Sequence, residues 1–119
     1  MAVARTPAPR RADAETELIF ARAARLYFQS VANQTRFVLA RDALAKSRPA
    51  LAPDQRRRRR EEIRRLVGDE LAIAREMFPL AKRNSCVGFE TASEYFYLPL
   101  DLVEKVVSCR QILDDYEKQ

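Results

Sequence analysis

The sequence predicts an all-α fold: a three-helix antiparallel bundle with an aromatic-rich loop between helices 2 and 3. Two observations predict helix, since only two glycines occur in 119 residues and apolar residues recur at spacings of three and four. The hydrophobic share of 47% is sufficient for a folded core. We expect one helical domain at residues 13–119, preceded by a disordered leader at residues 1–12 that is rich in proline and arginine.

The first helix is expected over residues 13–46, which contain neither glycine nor proline. Its apolar residues form a wide stripe that could contact two neighbours, so we expect this helix to lie at the centre of the packing. The stripe consists of two sets of residues, which are Phe20, Ala24, Tyr27, Val31 and Val38, and then Ile19, Leu26, Phe37 and Leu44.

The second helix is expected to follow the proline-containing connection at residues 47–53, with Asp54 as its N-cap. It should run to about Phe78, because Pro79 is expected at or just beyond its end, and the chain should leave helix by Asn84. Its apolar stripe has regular three–four spacing and consists of Ile63, Leu66, Val67, Leu71, Ala74, Met77 and Phe78.

The third helix is expected to begin beside Pro99, with Asp101 in its first turn, where the helix dipole favours a carboxylate. Its three–four spacing continues to the C-terminus. The residues that carry this spacing are Leu102, Val103, Val106, Leu113 and Tyr116.

The segment at residues 84–97, NSCVGFETASEYFY, is the least regular part of the sequence. Its aromatic residues favour a structural plug at one end of the helices, because aromatic side chains bury large areas. Phe89, Glu90, Tyr95 and Tyr97 also have the composition of a weak sugar-binding surface, in which rings stack on sugar faces and carboxylates bind hydroxyls. Both interpretations can hold at once.

Residues 48–65 contain eight arginines and three acidic residues, and the whole chain has a net charge of +5. The run Arg56, Arg57, Arg58, Arg59 and Arg60 is an alternative anion-binding site for nucleic acid or an acidic partner. We favour a solvated helical turn in which Arg57 and Arg58 pair with Glu61 and Glu62. Nucleic acid is therefore the less favoured partner.

Catalysis and metal binding are poorly supported by the residue types present. The sequence has no histidine, and its two cysteines lack further ligands for a standard zinc site. We therefore expect no catalytic residues, no metal and no cofactor, and we expect Cys86 and Cys109 to be buried free thiols. Glu90 and Glu94 are four residues apart, but such a pair is more often a capping or surface feature.

Neither a secretory signal nor an apolar run of the roughly 20 residues that span a bilayer is present in this sequence. No membrane partner is expected, and the cytoplasm is the default location.

The segment NSCVGFETASEYFYLPLDLVEKVVSCRQIL, together with ARLYFQSVANQTRFVLARDAL, resembles the C-terminal end of large bacterial proteins of glycoside-hydrolase type. The resemblance covers residues 17–113 in outline and is densest at residues 87–110 and 30–42. Gly88, Phe89 and Glu90 match the GFEAS run of those proteins, with Thr91 inserted. Glu94 stands where the pattern has histidine, which argues against direct chemistry at that position.

The resemblance implies a non-catalytic C-terminal helical domain, or fragment, of a carbohydrate-active enzyme. Such a domain packs on an upstream catalytic domain or lines its sugar groove, and carbohydrate is then an expected ligand. Asn33 and Gln34 are expected to find hydrogen-bond partners on that domain. A purely structural module that forms a homo-oligomer through the first helix is a further alternative.

Overall fold

The computed structural model describes residues 3–46, 50–87 and 98–117. Two short 3-10 turns, Val3–Arg5 and Ala8–Arg10, lead directly into the first α-helix. The three α-helices are α1 (Arg11–Lys46), α2 (Pro53–Arg83) and α3 (Pro99–Glu117). No strand occurs among the described residues, so the predicted all-α class and the number of helices are confirmed.

The central helix is α2, and the expectation that α1 is central is wrong. Both α1 and α3 pack along α2, whereas the backbones of α1 and α3 do not approach each other within the described residues. The reason is burial, since α2 contributes ten buried residues and the longer α1 contributes four. The two outer helices therefore each keep a face that no described helix covers.

The core has two parts along α2. One part surrounds Met77 near the C-terminal end of α2, and the other surrounds Ile63 nearer its N-terminal end. From α1, the second apolar set of the sequence, with Leu26 and Phe37, packs into this core. The molecule measures 63 × 29 × 26 Å, so it is a rod with a large surface for its size.

The N-cap of α2 lies two residues before the predicted one. Pro53 is the first helical residue and Ala52 is the N-cap, which corrects the assignment of Asp54. The Ala52 carbonyl accepts a hydrogen bond from the Arg56 N–H at 2.9 Å, and Gln55 Oε1 accepts one from the Ala52 N–H at 3.1 Å. Proline is favoured at this position because its missing N–H would have no partner there.

The end of α2 also differs, because the helix continues through Pro79 to Arg83. A proline inside a helix removes one backbone hydrogen bond, and the cost is of the order of 3 kcal/mol. Leu80 and Ala81 are both buried in the core, and their burial favours the extra turn. The chain leaves the helix at Asn84, as predicted.

The start of α3 is as predicted, with Pro99 first and Asp101 in the first turn. Asp101 Oδ2 accepts a hydrogen bond from the Leu98 N–H at 3.1 Å. Leu102 is fully buried, but Val103 is 47% exposed and does not belong to the core stripe in which it was predicted.

Candidate docking face and buried polar network

A buried glutamate lies at the middle of α2 and is held by all three helices. Glu70 is 7% exposed, and its Oε2 accepts a hydrogen bond from Ser30 Oγ at 2.8 Å. Its Oε1 accepts one from Asn33 Nδ2 at 3.1 Å. Both donors lie on the buried side of α1, so the carboxylate joins α1 to α2.

Lys105 connects α3 to the same carboxylate. Its Nζ lies 2.5 Å from Glu70 Oε2 and donates to Ser30 Oγ at 2.9 Å. Gln34 Nε2 also donates to Ser30 Oγ, at 3.0 Å. A buried carboxylate is costly unless it is paired and hydrogen-bonded, and here both requirements are met.

This network corrects one expectation from the sequence. Asn33 and Gln34 were expected to depend on another domain for their hydrogen bonds, yet both are satisfied within the chain. Two features of the sequence could have revealed this network. Ser30 and Asn33 are polar residues one helical turn apart on α1, and Glu70 interrupts the apolar stripe of α2. The network fixes how the three helices are aligned along their axes.

The opposite side of α1 is apolar and exposed. Phe28 is 70% exposed, Leu39 is 66% and Val31 is 44%. The first apolar set of the sequence therefore lies mostly outside the core, and this explains why α1 is not central. We define the docking face of α1 as the exposed residues Phe20, Ala24, Phe28, Val31, Gln34, Thr35, Val38 and Leu39, whereas Tyr27 packs against the core.

The docking face carries no charge. Between Leu18 and Ala40 the only charged residues are Arg22, Arg25 and Arg36, and none of them belongs to the docking face, although Phe28 borders the same α1–α2 groove as Arg25. Arg25 and Arg36 line the groove between α1 and α2, where Arg25 Nη2 pairs with Glu76. An exposed apolar surface of this length without charge is typical of a surface that another protein covers.

A second, smaller apolar strip lies on α3. Leu100, Val103 and Val107 follow one another at intervals of three and four and are all exposed. Lys105 and Cys109 face the core and α1, so helical geometry places this strip on the side of α3 that points away from α1.

A hollow of about 160 Å³ lies between α1 and α3, above the Glu70–Lys105 pair. Its walls include Phe37 from α1 and Cys109 and Ile112 from α3, and its floor is formed by α2. Every buried side-chain nitrogen and oxygen of the described residues has a hydrogen-bond partner. The hollow therefore presents no unpaired buried polar atom and favours an apolar occupant.

The two cysteines have different surroundings. Both thiols are free, but Cys86 is exposed, which corrects the expectation that both are buried. Burial raises the pKa of the Cys109 thiol, the Lys105 ammonium lowers it, and the Glu70 carboxylate raises it further. Cys109 is therefore protonated and unreactive at neutral pH.

The arginine run does not pair as the sequence suggested. Arg57 Nη2 pairs with Asp54 at 3.1 Å, and Arg59 Nη1 pairs with Glu62 at 2.8 Å. Arg56 to Arg59 are exposed and Arg60 is half-buried. A concavity of about 500 Å³ gathers four arginines beside Tyr116, and its lining residues are Pro53, Arg56, Arg57, Arg60, Glu61, Arg64 and Tyr116.

The residues predicted to contact sugar lie outside the described part of the chain. These are Phe89, Glu90, Tyr95 and Tyr97, and the predicted aromatic plug and the Glu90–Glu94 pair fall in the same segment. Both interpretations of that segment remain predictions.

Within residues 3–46, 50–87 and 98–117, no cluster of three or more acidic or cysteine side chains could hold a metal ion. None of the helices in those ranges is long and apolar enough to cross a membrane. Comparison with known proteins finds no matching family model, no matching curated protein and no matching solved structure.

Proposed function

We propose that this chain is a non-catalytic helical domain that packs on a larger polypeptide through the docking face of α1. The uncharged and exposed surface formed by Phe28, Val31 and Leu39 carries this proposal. Removing apolar surface of this kind from water stabilises the covered state by roughly 25 cal/mol for each Å² buried. The arrangement that we propose for the whole domain is an antiparallel three-helix bundle with an aromatic-rich loop between α2 and α3.

The Glu70–Lys105 pair supports a structural rather than a catalytic role for the polar residues. Glu70 accepts hydrogen bonds from Ser30 and Asn33 and pairs with Lys105, so its oxygens are engaged by side chains of the same chain. Such a network keeps the three helices aligned and so keeps the docking face in one shape.

The larger polypeptide is, on the resemblance stated above, the catalytic domain of a carbohydrate-active enzyme of glycoside-hydrolase type. In that setting the helical domain packs beside the catalytic domain or lines its sugar groove. Glu90, Tyr95, Tyr97 and Phe89 are the residues that we expect to contact sugar.

The first experiment measures the size of the native protein with an antibody against residues 84–119, on a denaturing blot of the source cells. We expect a band far larger than 13.7 kDa, the mass of this chain. A band at 13.7 kDa, together with a monomeric mass for the native protein, would contradict the proposal.

The second experiment places charge on the docking face within the native protein. Val31→Glu combined with Leu39→Glu should release the domain from its partner surface and make residues around α1 sensitive to limited proteolysis. Arg22→Ala with Arg36→Ala is the matched control, because it lowers the net charge by the same amount at positions of α1 that lie outside the docking face. Equal protease sensitivity of the two variants would argue against docking through this face.

Sugar contact is tested separately, with glycan binding to the native protein as the readout. Tyr95→Ala combined with Tyr97→Ala should weaken binding, whereas a variant with glutamine at Arg57, Arg58 and Arg59 should bind as the unmodified protein does. Loss of glycan binding only in the arginine variant would assign the binding site to the arginine run instead of to Tyr95 and Tyr97.

The concavity beside Tyr116 supports a second candidate function, the binding of an anionic partner. Arg56, Arg60 and Arg64 recur every four residues and so lie on one side of α2. Nucleic-acid binding through this surface should weaken steeply as salt concentration rises. Arg56→Gln with Arg60→Gln should abolish it, while Arg58→Gln, which lies outside the concavity, should have little effect.

A further inference from the structure

We infer that the groove between α1 and α2 binds an acidic oligosaccharide, with one sugar ring against Phe28 and one uronic-acid carboxylate on Arg36. The inference rests on the proposed function and deepens it by naming the kind of sugar and a place for it. Three observations support it, namely an exposed aromatic ring at the edge of the groove, planar polar side chains on both of its walls, and an arginine without an acidic partner among the described residues.

The groove has room for a ligand between two helices. Its volume is about 660 Å³, which lies within the roughly 300–1,000 Å³ of small-molecule sites. Ala32 of α1 and Ala72 of α2 line it and are both exposed, so each helix presents only a methyl group there. Leu26 and Ile73 also line the groove but are buried, so part of its surface is apolar.

Phe28 supplies an aromatic ring at the edge of the groove. It is 70% exposed, and its ring makes an edge-on contact with the ring of Tyr27, with 5.7 Å between the ring centroids and 73° between the planes. Tyr27 packs against the core, so this contact holds the Phe28 ring in place. An exposed ring beside polar groups can cover the apolar face of a sugar ring and remove both surfaces from water.

Both walls of the groove carry planar polar side chains that can bond to sugar hydroxyls. Arg25 Nη1 donates to Gln29 Oε1 at 2.8 Å, and Arg25 Nη2 pairs with Glu76 Oε1. Arg65 Nη1 pairs with Asp69 Oδ2 at 3.3 Å. Within the described part of the chain each of these carboxylates bonds through one oxygen, so its second oxygen can accept a hydrogen bond from a hydroxyl group.

Arg36 gives the groove a net positive charge. Three arginines and two carboxylates line the groove, and the two carboxylates pair with Arg25 and Arg65. No ion pair of Arg36 occurs within residues 3–46, 50–87 and 98–117. A guanidinium can hold a carboxylate through two parallel hydrogen bonds. One guanidinium without an acidic partner therefore matches the single carboxylate of a uronic-acid unit.

The two carboxylates of the groove argue against a polyphosphate or a nucleic acid at this place. Asp69 and Glu76 would repel a ligand that brings several negative charges into the groove. A neutral oligosaccharide could contact Phe28 in the same way, but it would leave Arg36 without a partner. An oligosaccharide with one carboxylate per sugar unit satisfies both residues.

The test uses chemical-shift mapping by NMR on the purified chain. Trigalacturonate and a trimer of mannuronate are the acidic probes, and maltotriose is the neutral probe of equal length. We expect at least one acidic probe to shift backbone amides within residues 25–36 and 65–76, with a lower Kd than maltotriose.

Two pairs of variants assign the binding to the groove. Phe28→Ala should raise the Kd about tenfold, because the stacked ring is lost, whereas Leu39→Ala changes a similarly exposed apolar residue outside the groove and should leave it unchanged. Arg36→Gln should raise the Kd of the acidic probe to that of maltotriose, and Arg58→Gln, which removes the same charge elsewhere, should not. Equal effects within either pair would contradict the inference.

The inference and the proposed function can fail separately. Shifts confined to residues 88–97 or to the concavity beside Tyr116, equal binding of acidic and neutral probes, or no shift with any probe would each overturn the inference. The proposed function would still stand, because it is tested by the size of the native protein and by charge on the docking face. Binding in the groove by a native protein that is monomeric at 13.7 kDa would instead overturn the proposed function alone.

Discussion

The two sides of α1 differ less in polarity than those of an ordinary amphipathic helix. The side packed on α2 buries two polar residues, Ser30 and Asn33, whereas the outward side exposes Phe28 and Val31. A helix at the surface of a soluble protein usually places its apolar residues inward and its charges outward. Between Leu18 and Ala40 of α1, two of the three charged residues, Arg25 and Arg36, line the α1–α2 groove.

Helix α1 therefore has two packing surfaces of different kinds. The inward surface combines a few large apolar residues with hydrogen bonds that require one alignment of the helices. The outward surface is apolar and uncharged, and it gains stability only when something covers it. The two sides should therefore respond differently to the same substitution, and the predictions below compare them from the largest expected effect to the smallest.

The largest difference between the two sides of α1 is expected for two of its leucines. Leu26 is 1% exposed and packs in the core, so Leu26→Ala should lower the free energy of unfolding of the purified chain by about 3–4 kcal/mol. Leu39 is 66% exposed, so Leu39→Ala should change it by less than about 0.5 kcal/mol. Urea unfolding monitored by circular dichroism measures both values. Equal losses would mean that Leu39 is packed in the isolated chain and that the outward side is not free.

The buried network should be nearly as sensitive as the apolar core. Glu70→Ala leaves Ser30 and Asn33 without their acceptor and Lys105 without its carboxylate, so we expect a loss of about 3 kcal/mol. Lys105 can partly reach solvent, which places this value at the lower end of the range for buried pairs.

A double substitution separates the charge pair from simple loss of packing. Glu70→Leu together with Lys105→Met replaces the pair by apolar side chains of similar size, so it should recover the part of the loss that comes from the unpaired Lys105 charge, while Ser30 and Asn33 still lack their acceptor. If the double variant is as unstable as Glu70→Ala, the loss of stability comes from the hydrogen bonds of Glu70 to Ser30 and Asn33 and not from the unpaired charge of Lys105. Glu104→Ala, at an exposed position of α3, is the control for the loss of an acidic residue.

The sequence predicted the elements of this fold better than their orientation. Three helices follow from the scarcity of glycine and from the three–four spacing, and their bounds differ from the predictions by only a few residues. The side of α1 that faces α2 could not be predicted, because two apolar sets of similar size compete on that helix. The choice between them depends on Glu70, whose side-chain hydrogen bonds to Ser30 and Asn33 form only when helices distant in sequence meet.

The same limit applies to the functional surface. The arginine run and the aromatic segment are conspicuous in the sequence, yet the docking face includes Phe20, Ala24, Val31 and Val38, which were predicted to belong to the packed stripe of α1. Pro79 is a similar case, since the local preference to end α2 there is overcome by the burial of Leu80 and Ala81 in the tertiary structure.

Adding charge to the outward side should have little effect on the isolated chain. Val31→Glu places a carboxylate at a position that is 44% exposed, so the free energy of unfolding should change by less than about 0.5 kcal/mol. Val67→Glu, at a buried position of α2, should instead prevent folding or lower the free energy of unfolding by several kcal/mol. Thermal unfolding of the two variants makes the comparison, and a large loss for Val31→Glu would place Val31 in the core.

The smallest expected effect concerns the two thiols and depends on pH. Because burial raises the pKa of Cys109 above the ordinary value of 9.0, the folded thiol keeps its proton at pH values where the unfolded chain has lost it. The unfolded chain then binds fewer protons, so this group's contribution to stability is present below pH 9 and is lost as pH rises through the folded pKa. Cys109→Ser should reduce this dependence, while Cys86→Ser should not.

The rates of alkylation by iodoacetamide compare the accessibility of the same two thiols. Cys86 is exposed and should react in the folded protein, whereas Cys109 should react only when the helices separate. A Cys109 rate equal to the Cys86 rate in the folded chain would contradict the burial of Cys109, which is 7% exposed.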